Sequence, residues 1–597
     1  MDRNTITATV LITLIMVIWF GFLAPPVPPT PPATQDSTLV SDVPDGSIVG
    51  ANDPSSMAER AVGLQLSQAI ADSLPGQTIV VETPLYTAHL NTRGGTITRF
   101  MLSDYERANQ RGPVELVDTV GLGAIALEFT TPESHARDTR QLLFQPSTFV
   151  DTFRVDDGQA SIAFSTPIND GQLALIYTFD AQSYEVGLDV ETVNPDAFMT
   201  MSGYDLIWDG GIPYSEGIAE KEAERSAAYA YSAGTAEYVD LMGEASESKG
   251  IRGSVSWVSV KSQYFAAIII PERPVDEAEI TGERIGDVGD IDQWEDYEVR
   301  LRQDRPSGVD RYAVFMGPMR YRLLAAYEQN LYDMVDFGWD FFEVVTRPLA
   351  RFVFIPAFEY LAMFIPNYGV IVILLALLIK LILAPLTASS YRSMAKMKDL
   401  APKMEEIKAK YGNDPKKQQE ATMRMYRESG VNPAGGCLPM LLQYPVIIAL
   451  WQFLPQSIEI RQQGFLWAPD LSAPDAVVNL PFEIPFYGDF ISGFTVLMGL
   501  SMIVQMKIQS GATASTNPQM KVFMYLFPGM IFVIFNRLAS GLSLYYLCFN
   551  VLTAAQQMYM NRNNQTAKPP EEASTQPRRH GKGVSKRASS GTDRRSR

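Results

Sequence analysis

The sequence predicts a multi-domain membrane protein: an N-terminal anchor helix and a five-span α-helical core, with an exported all-β sandwich between them. Three observations carry that prediction. Six apolar stretches in the 597 residues are long enough, or nearly so, to cross a bilayer. The charge is split: about 50 acidic and about 21 basic residues lie between Ala24 and Asp340, a net of about −29, which leaves about +11 for the rest of a chain whose total is −18. Apolar and polar residues alternate with period two through the acidic region, whereas helical periodicity is almost absent before Pro318.

Residues 1–24 read as an uncleaved anchor. Ile6 to Leu23 is uncharged over about 18 residues. A cleavable signal would have an apolar core of about 7 to 15 residues and a small-x-small site behind it, but Pro25, Pro26, Pro28 and Pro29 crowd that place. A Pro-rich, polar linker follows over 25–77. From 78 to 335, strand-like runs such as Thr78 to Glu82, Tyr86 to Leu90, Ala124 to Phe129 and Leu173 to Phe179 are punctuated by Gly, Asp and Asn, which predicts an antiparallel β-sandwich. Sandwiches of this size often bind sugars, so an enzyme has to be considered. The domain has only His89 and His135, no cysteine and no nucleophile motif, so its carboxylates read as a solvated face. Its acidity excludes nucleic acid as a partner of this region. The two cysteines, Cys437 and Cys548, fall in or beside spans, and no disulfide framework is expected.

Residues 336–360 are rich in Trp and Phe and carry Arg347 and Arg351, as suits an amphipathic helix in the outer membrane interface; a helix packed on the sandwich is the alternative. The core, 361–560, has spans at about 365–386, 437–454, 490–506, 522–535 and 542–558. Tyr391 to Arg427 holds about ten Lys or Arg, Lys507 and Lys521 bracket the link between the spans at 490–506 and 522–535, and the tail adds about ten more. These belong in the cytoplasm, with both termini, and the acidic domain belongs outside. The segment 388–430 reads as a cytoplasmic helical hairpin. Met394, Met397, Leu400, Met404 and Ile407 recur at threes and fours along its first helix up to Tyr411, Gly412 ends that helix, and Asp414 and Pro415 start the next. The stripe suits a promiscuous apolar partner, or packs the two helices together.

Lys380 is the most informative residue. It interrupts the apolar run from Ile371 to Leu383, where a Lys costs about 2.5 to 3.5 kcal/mol on insertion scales. Snorkelling toward the headgroups near Pro385 would be one way to relieve that cost. A wet cavity would be the other: Tyr546, Asn550, Thr553 and Gln557 share one face of the last span, Gln443 adds an amide from the third, and no Asp or Glu lies in the last five spans. Val522 to Phe535 covers only about 21 Å as a helix, short of a hydrocarbon core of about 30 Å. Phe523, Phe527 and Met530 make it a greasy surface along which an incoming helix could slide, or simply core. The tail, 561–597, is polar and net about +7, and reads as disordered; ribosomal RNA or anionic lipid would suit it, as would plain positive-inside anchoring. No phosphate-binding loop appears, and no metal or cofactor is expected.

Asn432, Pro433, Gly435, Gly436, Cys437, Pro439, Gln443 and Pro445 form a motif that resembles the signature of the YidC/Oxa/Alb membrane-protein insertase family. Pro385 to Thr387, Ser393 to Met397, and Ser540, Gly541, Leu542, Leu544, Tyr545 and Tyr546 with Asn550, Gln556 and Gln557 extend the likeness over about 340 to 560, and the anchor with its large exported domain looks like the form from two-membraned bacteria. The resemblance implies five spans around a hydrophilic groove open to the cytoplasm and lipid, with Lys380 as its cation where many relatives have Arg, and Ala376 where a polar residue is common. It implies an insertase and chaperone of the inner membrane, probing no covalent chemistry, that moves nascent transmembrane segments from the cytoplasm into the bilayer, alone or with the Sec translocon. Ribosomes, met by tail and hairpin, the signal recognition particle pathway and a monomeric state are implied with it, as is a periplasmic location of the sandwich. A small-anion transporter or channel using Lys380 is the competing reading; it calls for inverted repeats, and the sequence has none.

Overall fold

The computed structural model describes residues 76–566, apart from 109–111, 118–122, 149, 243–244, 286–294, 305–307, 336–339, 413, 431–437, 486 and 511–517. The expected anchor 1–24, nearly all of the linker 25–77, the motif residues Asn432 to Cys437 and most of the tail lie outside the described residues. The chain divides into two compact units, one made of residues up to 375 with 442–495 and 533–544, the other of 376–441, 496–532 and the residues from 545 onward.

The first unit holds the β-sandwich. A five-stranded sheet runs in the order Pro113–Glu115, Thr96–Glu106, Tyr86–Asn91, Thr78–Glu82, Thr152–Arg154, and a 14-stranded sheet extends from Ala136–Asp138 at one edge to Gln145–Pro146 at the other. Period-two patterning sets the faces: Ile79, Val81, Tyr86, Ala88 and Leu90 are buried, while the residues between them are more open. The strand Phe265–Pro271 is buried along its whole length, as its continuous apolar sequence requires. Ser246–Lys261 changes partner along its length, from Val275–Arg284 to Phe265–Pro271, and the register shifts between Arg252 and Val255, where Gly253 takes φ +126°. Buried Trp208 and Trp257 donate their indole N–H to the carbonyls of Gly211 (3.0 Å) and Gln329 (2.9 Å), so their polar edges are satisfied within the core.

The strands give way to helices after Pro318. A short α1 (Ala219–Ala223) interrupts the sandwich earlier, and α2 (Tyr321–Ala325) follows it. The amphipathic segment then forms α3 (Asp340–Leu349), a π turn over Ala350–Phe354 and α4 (Ile355–Ala362). Pro348 lacks the N–H that regular winding needs, which explains an irregular turn just after it. One face packs within the unit, with Phe354 and Phe358 each 5.7 Å from the Phe453 ring, while Val344, Phe352, Tyr360 and Phe364 are exposed. Arg347 pairs with Asp333 at 2.6 Å and Arg322 with Glu359 at 2.8 Å.

Five longer helices and a helical hairpin follow: α5 (Tyr368–Asp399), α6 (Ala401–Tyr411), α7 (Pro415–Glu428), α8 (Leu438–Phe453), α9 (Gly493–Ser510), α10 (Pro518–Phe535) and α11 (Ser540–Thr566). Among the described residues one stretch, Tyr368–Pro385, is long and apolar enough to cross a membrane by itself; Gly493–Ile508 and Leu526–Phe535 are shorter apolar helices. Three boundaries differ from the sequence expectation. α5 runs through Pro385 to Asp399 and breaks at Leu400, just ahead of Pro402 in the first turn of α6, so Met394 and Met397 sit on a different helix from Met404 and Ile407. Phe490 to Ser492, expected in the fourth span, form a strand paired with Ala476–Ile484. α10 starts four residues early and is 18 residues, about 27 Å, long; its first turn includes Gln519 and Lys521, so only the apolar part is short.

Candidate functional site

Lys380 lies in the second unit, on α5 between Ile379 and Leu381, and is 6% exposed. Its ammonium donates to Thr553 Oγ1 at 2.7 Å and stands 4.7 Å from the centre of the Phe549 ring. Phe549 and Thr553 are four residues apart on α11, so one helix face presents ring and hydroxyl side by side. Both favour the cation without neutralising it: the ring through its quadrupole, the hydroxyl through a lone pair. The side chain is turned toward α11, which is not the snorkelling geometry.

The other polar positions of α11 are buried in the same unit. Asn550 donates to Ser501 Oγ on α9 at 3.1 Å, and Ser501 in turn donates to the Met498 carbonyl at 2.7 Å. Tyr546 and Gln557 are buried, and the side-chain oxygens of Gln556 and Gln557 are enclosed with no hydrogen-bond partner among the described residues. A buried amide oxygen left in that way costs about 1 to 3 kcal/mol unless water reaches it. The structure therefore gathers Lys380, Asn550, Thr553, Tyr546 and Gln557 into one unit. Gln443 belongs to the first unit, half-buried on α8. Sequence reasoning missed Phe549 and Ser501; Ser501 carried a signal, as a hydroxyl inside an otherwise apolar stretch.

The hairpin and slide positions are less uniform. Leu400, Met404 and Ile407 are half-buried, and the Tyr426 hydroxyl lies 3.6 Å from the Met404 sulfur, so part of the stripe packs α6 on α7. The side chains of Met394, Met397 and Phe523 lie outside the described residues, Phe527 is half-buried and Met530 is exposed. Asp414 caps α7 through the Lys417 N–H at 3.2 Å. No cluster of three or more His, Cys, Asp or Glu placed to hold a metal occurs among the described residues.

Residues 360–568 match the family described as 60Kd inner membrane protein, and residues 78–352 match the YidC periplasmic domain. The chain is 37% identical, over 98% of its length and 99% of the relative's, to the membrane protein insertase YidC of Chlorobium phaeovibrioides. It is likewise 37% identical, over 95% of its length and 97% of the relative's, to that of Chloroherpeton thalassium. A solved structure described as an active YidC insertase with its first transmembrane domain resolved is 19% identical, with a TM-score of 0.34, over 84% of this chain and 99% of the other.

Proposed function

The chain belongs to the YidC family of membrane protein insertases, and from that premise we propose that Lys380 is the attractor that draws the polar flank of an incoming segment into the bilayer. It is a membrane protein insertase of the inner membrane with a large periplasmic domain. The observation that carries the finer reading is a cation buried in a polar patch of the span region, its ammonium donating to the Thr553 hydroxyl and facing the Phe549 ring. Enclosed amide oxygens at Gln556 and Gln557 support a hydrated path beside it.

In this reading a nascent apolar segment meets the hairpin of α6 and α7, with Met394, Met397, Leu400, Met404 and Ile407 as contacts. Its polar flank moves along Lys380, Gln443, Tyr546, Asn550, Thr553 and Gln557, and its apolar part leaves past Phe523, Phe527 and Met530 into lipid. Transfer of apolar surface, worth about 25 cal/mol per Å2, drives the process, and the polar residues divide the desolvation of the flank into smaller steps. No nucleotide is needed. The basic tail and hairpin would meet the ribosome, and the signal recognition particle pathway and the Sec translocon would supply or share substrates. Both termini would lie in the cytoplasm.

Crosslinking from Gln443 and Met530 to a ribosome-stalled nascent span tests the path. Adducts at both positions are expected with an apolar, acidic-flanked segment. Their absence, with insertion intact, would remove both residues from the route.

A further inference from the structure

The loop between α8 and α9 carries an exposed apolar surface. Phe465 and Ala468 exchange backbone hydrogen bonds at 2.9 and 3.0 Å, which leaves Leu466 and Trp467 at the tip of a tight turn. Leu466 is 73% exposed and takes φ +55°, a left-handed conformation that Gly or Asn occupies at far lower cost. Farther along, in the strand Ala476–Ile484, Val477, Val478, Phe482 and Ile484 are exposed, and from Val478 onward apolar residues alternate with Asn479, Pro481 and Glu483.

Contacts within the first unit fix the level of this surface. Gly369, in the first turn of α5, lies so close to Phe465 that a β-carbon there would stand 2.1 Å from its ring. A β-carbon on Gly493, the first residue of α9, would stand 2.8 Å from the Trp467 indole nitrogen and 3.0 Å from Val477. Asn536, in the turn between α10 and α11, donates to the carbonyls of Tyr487 (3.0 Å) and Phe490 (2.7 Å) and accepts from the Ser492 N–H (2.9 Å). Turn and hairpin thus lie level with the ends of α5, α9, α10 and α11 on the side of the sandwich.

We propose that the turn at Leu466 and Trp467 and the hairpin Ala476–Ser492 form a lipid anchor in the periplasmic leaflet, seated at the boundary between headgroups and acyl chains. This rests on reading those helices as spans. Lipid fits better than a protein partner for two reasons. The strand is open on both sides along nearly its whole length, with apolar residues alternating with Asn479 and Glu483, the amphipathic pattern of a hairpin lying in a bilayer surface; a docked protein would cover one side and leave the other open. A partner adding a strand also meets an irregular edge: Pro481 has no N–H, and the register shifts between Asn479 and Ile484. Trp467, donating to Asp475 Oδ2 at 2.7 Å and stacked on Phe494 at 4.4 Å, has the amphipathic placement of an interfacial tryptophan. Glu483 and Asp489 in the same hairpin hold it at the interface, because the hydrocarbon core would exclude them.

The test uses the full chain with Cys437 and Cys548 replaced by Ala, in vesicles of phosphatidylethanolamine and phosphatidylglycerol. Nitroxide labels are placed at Leu466→Cys, Val478→Cys and Phe482→Cys, with Asp156→Cys, in an exposed turn of the sandwich, as the aqueous reference. The expected result is a severalfold higher ratio of oxygen to nickel-chelate collision at the three loop sites than at 156. High nickel accessibility at the loop sites means water, and low accessibility to both reagents means cover by protein; either result overturns the anchor. A chain with its native cysteines and Phe482→Trp gives an independent reading: bromine-labelled lipid should quench the added fluorescence, and absence of extra quenching likewise refutes the proposal.

Discussion

Replacing Lys380 by Met keeps an unbranched side chain only one atom shorter and removes its charge, and the consequence depends on what the substrate carries. A carboxylate brought within about 6 Å of the ammonium, at an effective dielectric of about 20, is attracted by about 3 kcal/mol, or about a hundredfold in occupancy. Loss of the charged hydrogen bond to Thr553 Oγ1, 2.7 Å long, costs about 1.5 to 3 kcal/mol of local stability. The two effects are similar in size and differ in what they act upon. Substrate attraction should appear only with acidic flanks, whereas a structural loss should lower insertion of every substrate alike. Protease protection of short spans with acidic, neutral or basic flanks, in cells relying on the variant, separates them. With Lys380→Met, insertion of acidic-flanked spans is expected to fall at least tenfold and that of neutral ones little. Lys380→Glu should reverse the preference, and Lys380→Arg should keep it. Thr553→Val, which removes the hydroxyl and leaves the charge, should keep the preference too. Equal losses across the three substrate types with Lys380→Met, or full insertion of acidic ones with Lys380→Glu, would refute the electrostatic role.

Other expectations concern the first unit. Arg461, almost fully enclosed, donates to Glu216 at 2.7 Å and to the Glu106 carbonyl at 2.7 Å, and lies over the Tyr264 and Phe265 rings; Arg461→Met leaves Glu216 enclosed without its cation, so a loss of about 3 to 5 kcal/mol is expected in denaturant unfolding, with Glu216→Gln added in the same chain recovering part of it. Burial, reinforced by the negative charge of Glu216 and opposed by N–H donors from Ser215 and Glu216, holds the Glu222 carboxyl at about 8. Because that value is raised, the stability it contributes is complete below the unfolded value of 4.5 and is lost as pH rises toward and through about 8; Glu222→Gln should flatten the fall in unfolding midpoint across that window. Asn536→Ala deletes three hydrogen bonds between the α10–α11 turn and the hairpin, and a lower melting temperature in detergent together with faster proteolysis between 476 and 492 is expected. Gly369→Ala should cost about 1 to 3 kcal/mol through overpacking on Phe465 in the same melting assay.

What was legible in the sequence depended on the range of the interaction concerned. Alternation in runs such as Tyr86 to Leu90 is a local property, and so are the Gly412 stop and the Asp414 cap; those elements form where the pattern puts them. Lys380 stood out by cost alone. Thr553 was legible as part of the polar face of the last span, but Phe549 was not, because it is about 170 residues away and an aromatic in an apolar helix carries no mark that it faces a cation. Leu400 was a local miss: Pro402 signalled a new first turn, but the run of Met and Leu at helical spacing outweighed it. The hairpin at Ala476–Ser492 was hidden by its prolines and by the short second strand, since Phe490 to Ser492 run straight into the apolar helix that follows and resemble its start. Membership of the motif residues in a common family pointed to function more directly than either periodicity or charge.

The uninterrupted run of α5 past Pro385 makes it a lever. Proline cannot donate to the carbonyl one turn back, so the helix has a soft point there, a fulcrum between Lys380 and the Met-bearing end. The arm from Pro385 to Asp399 spans 14 residue steps, about 21 Å, so a tilt of about 10° carries its tip about 4 Å sideways. Lys380 lies on the other side of the fulcrum, five residues before Pro385. On the insertion path proposed above, a guest of varying girth would be gripped or released at the Met-bearing end for the small cost of bending at one missing hydrogen bond.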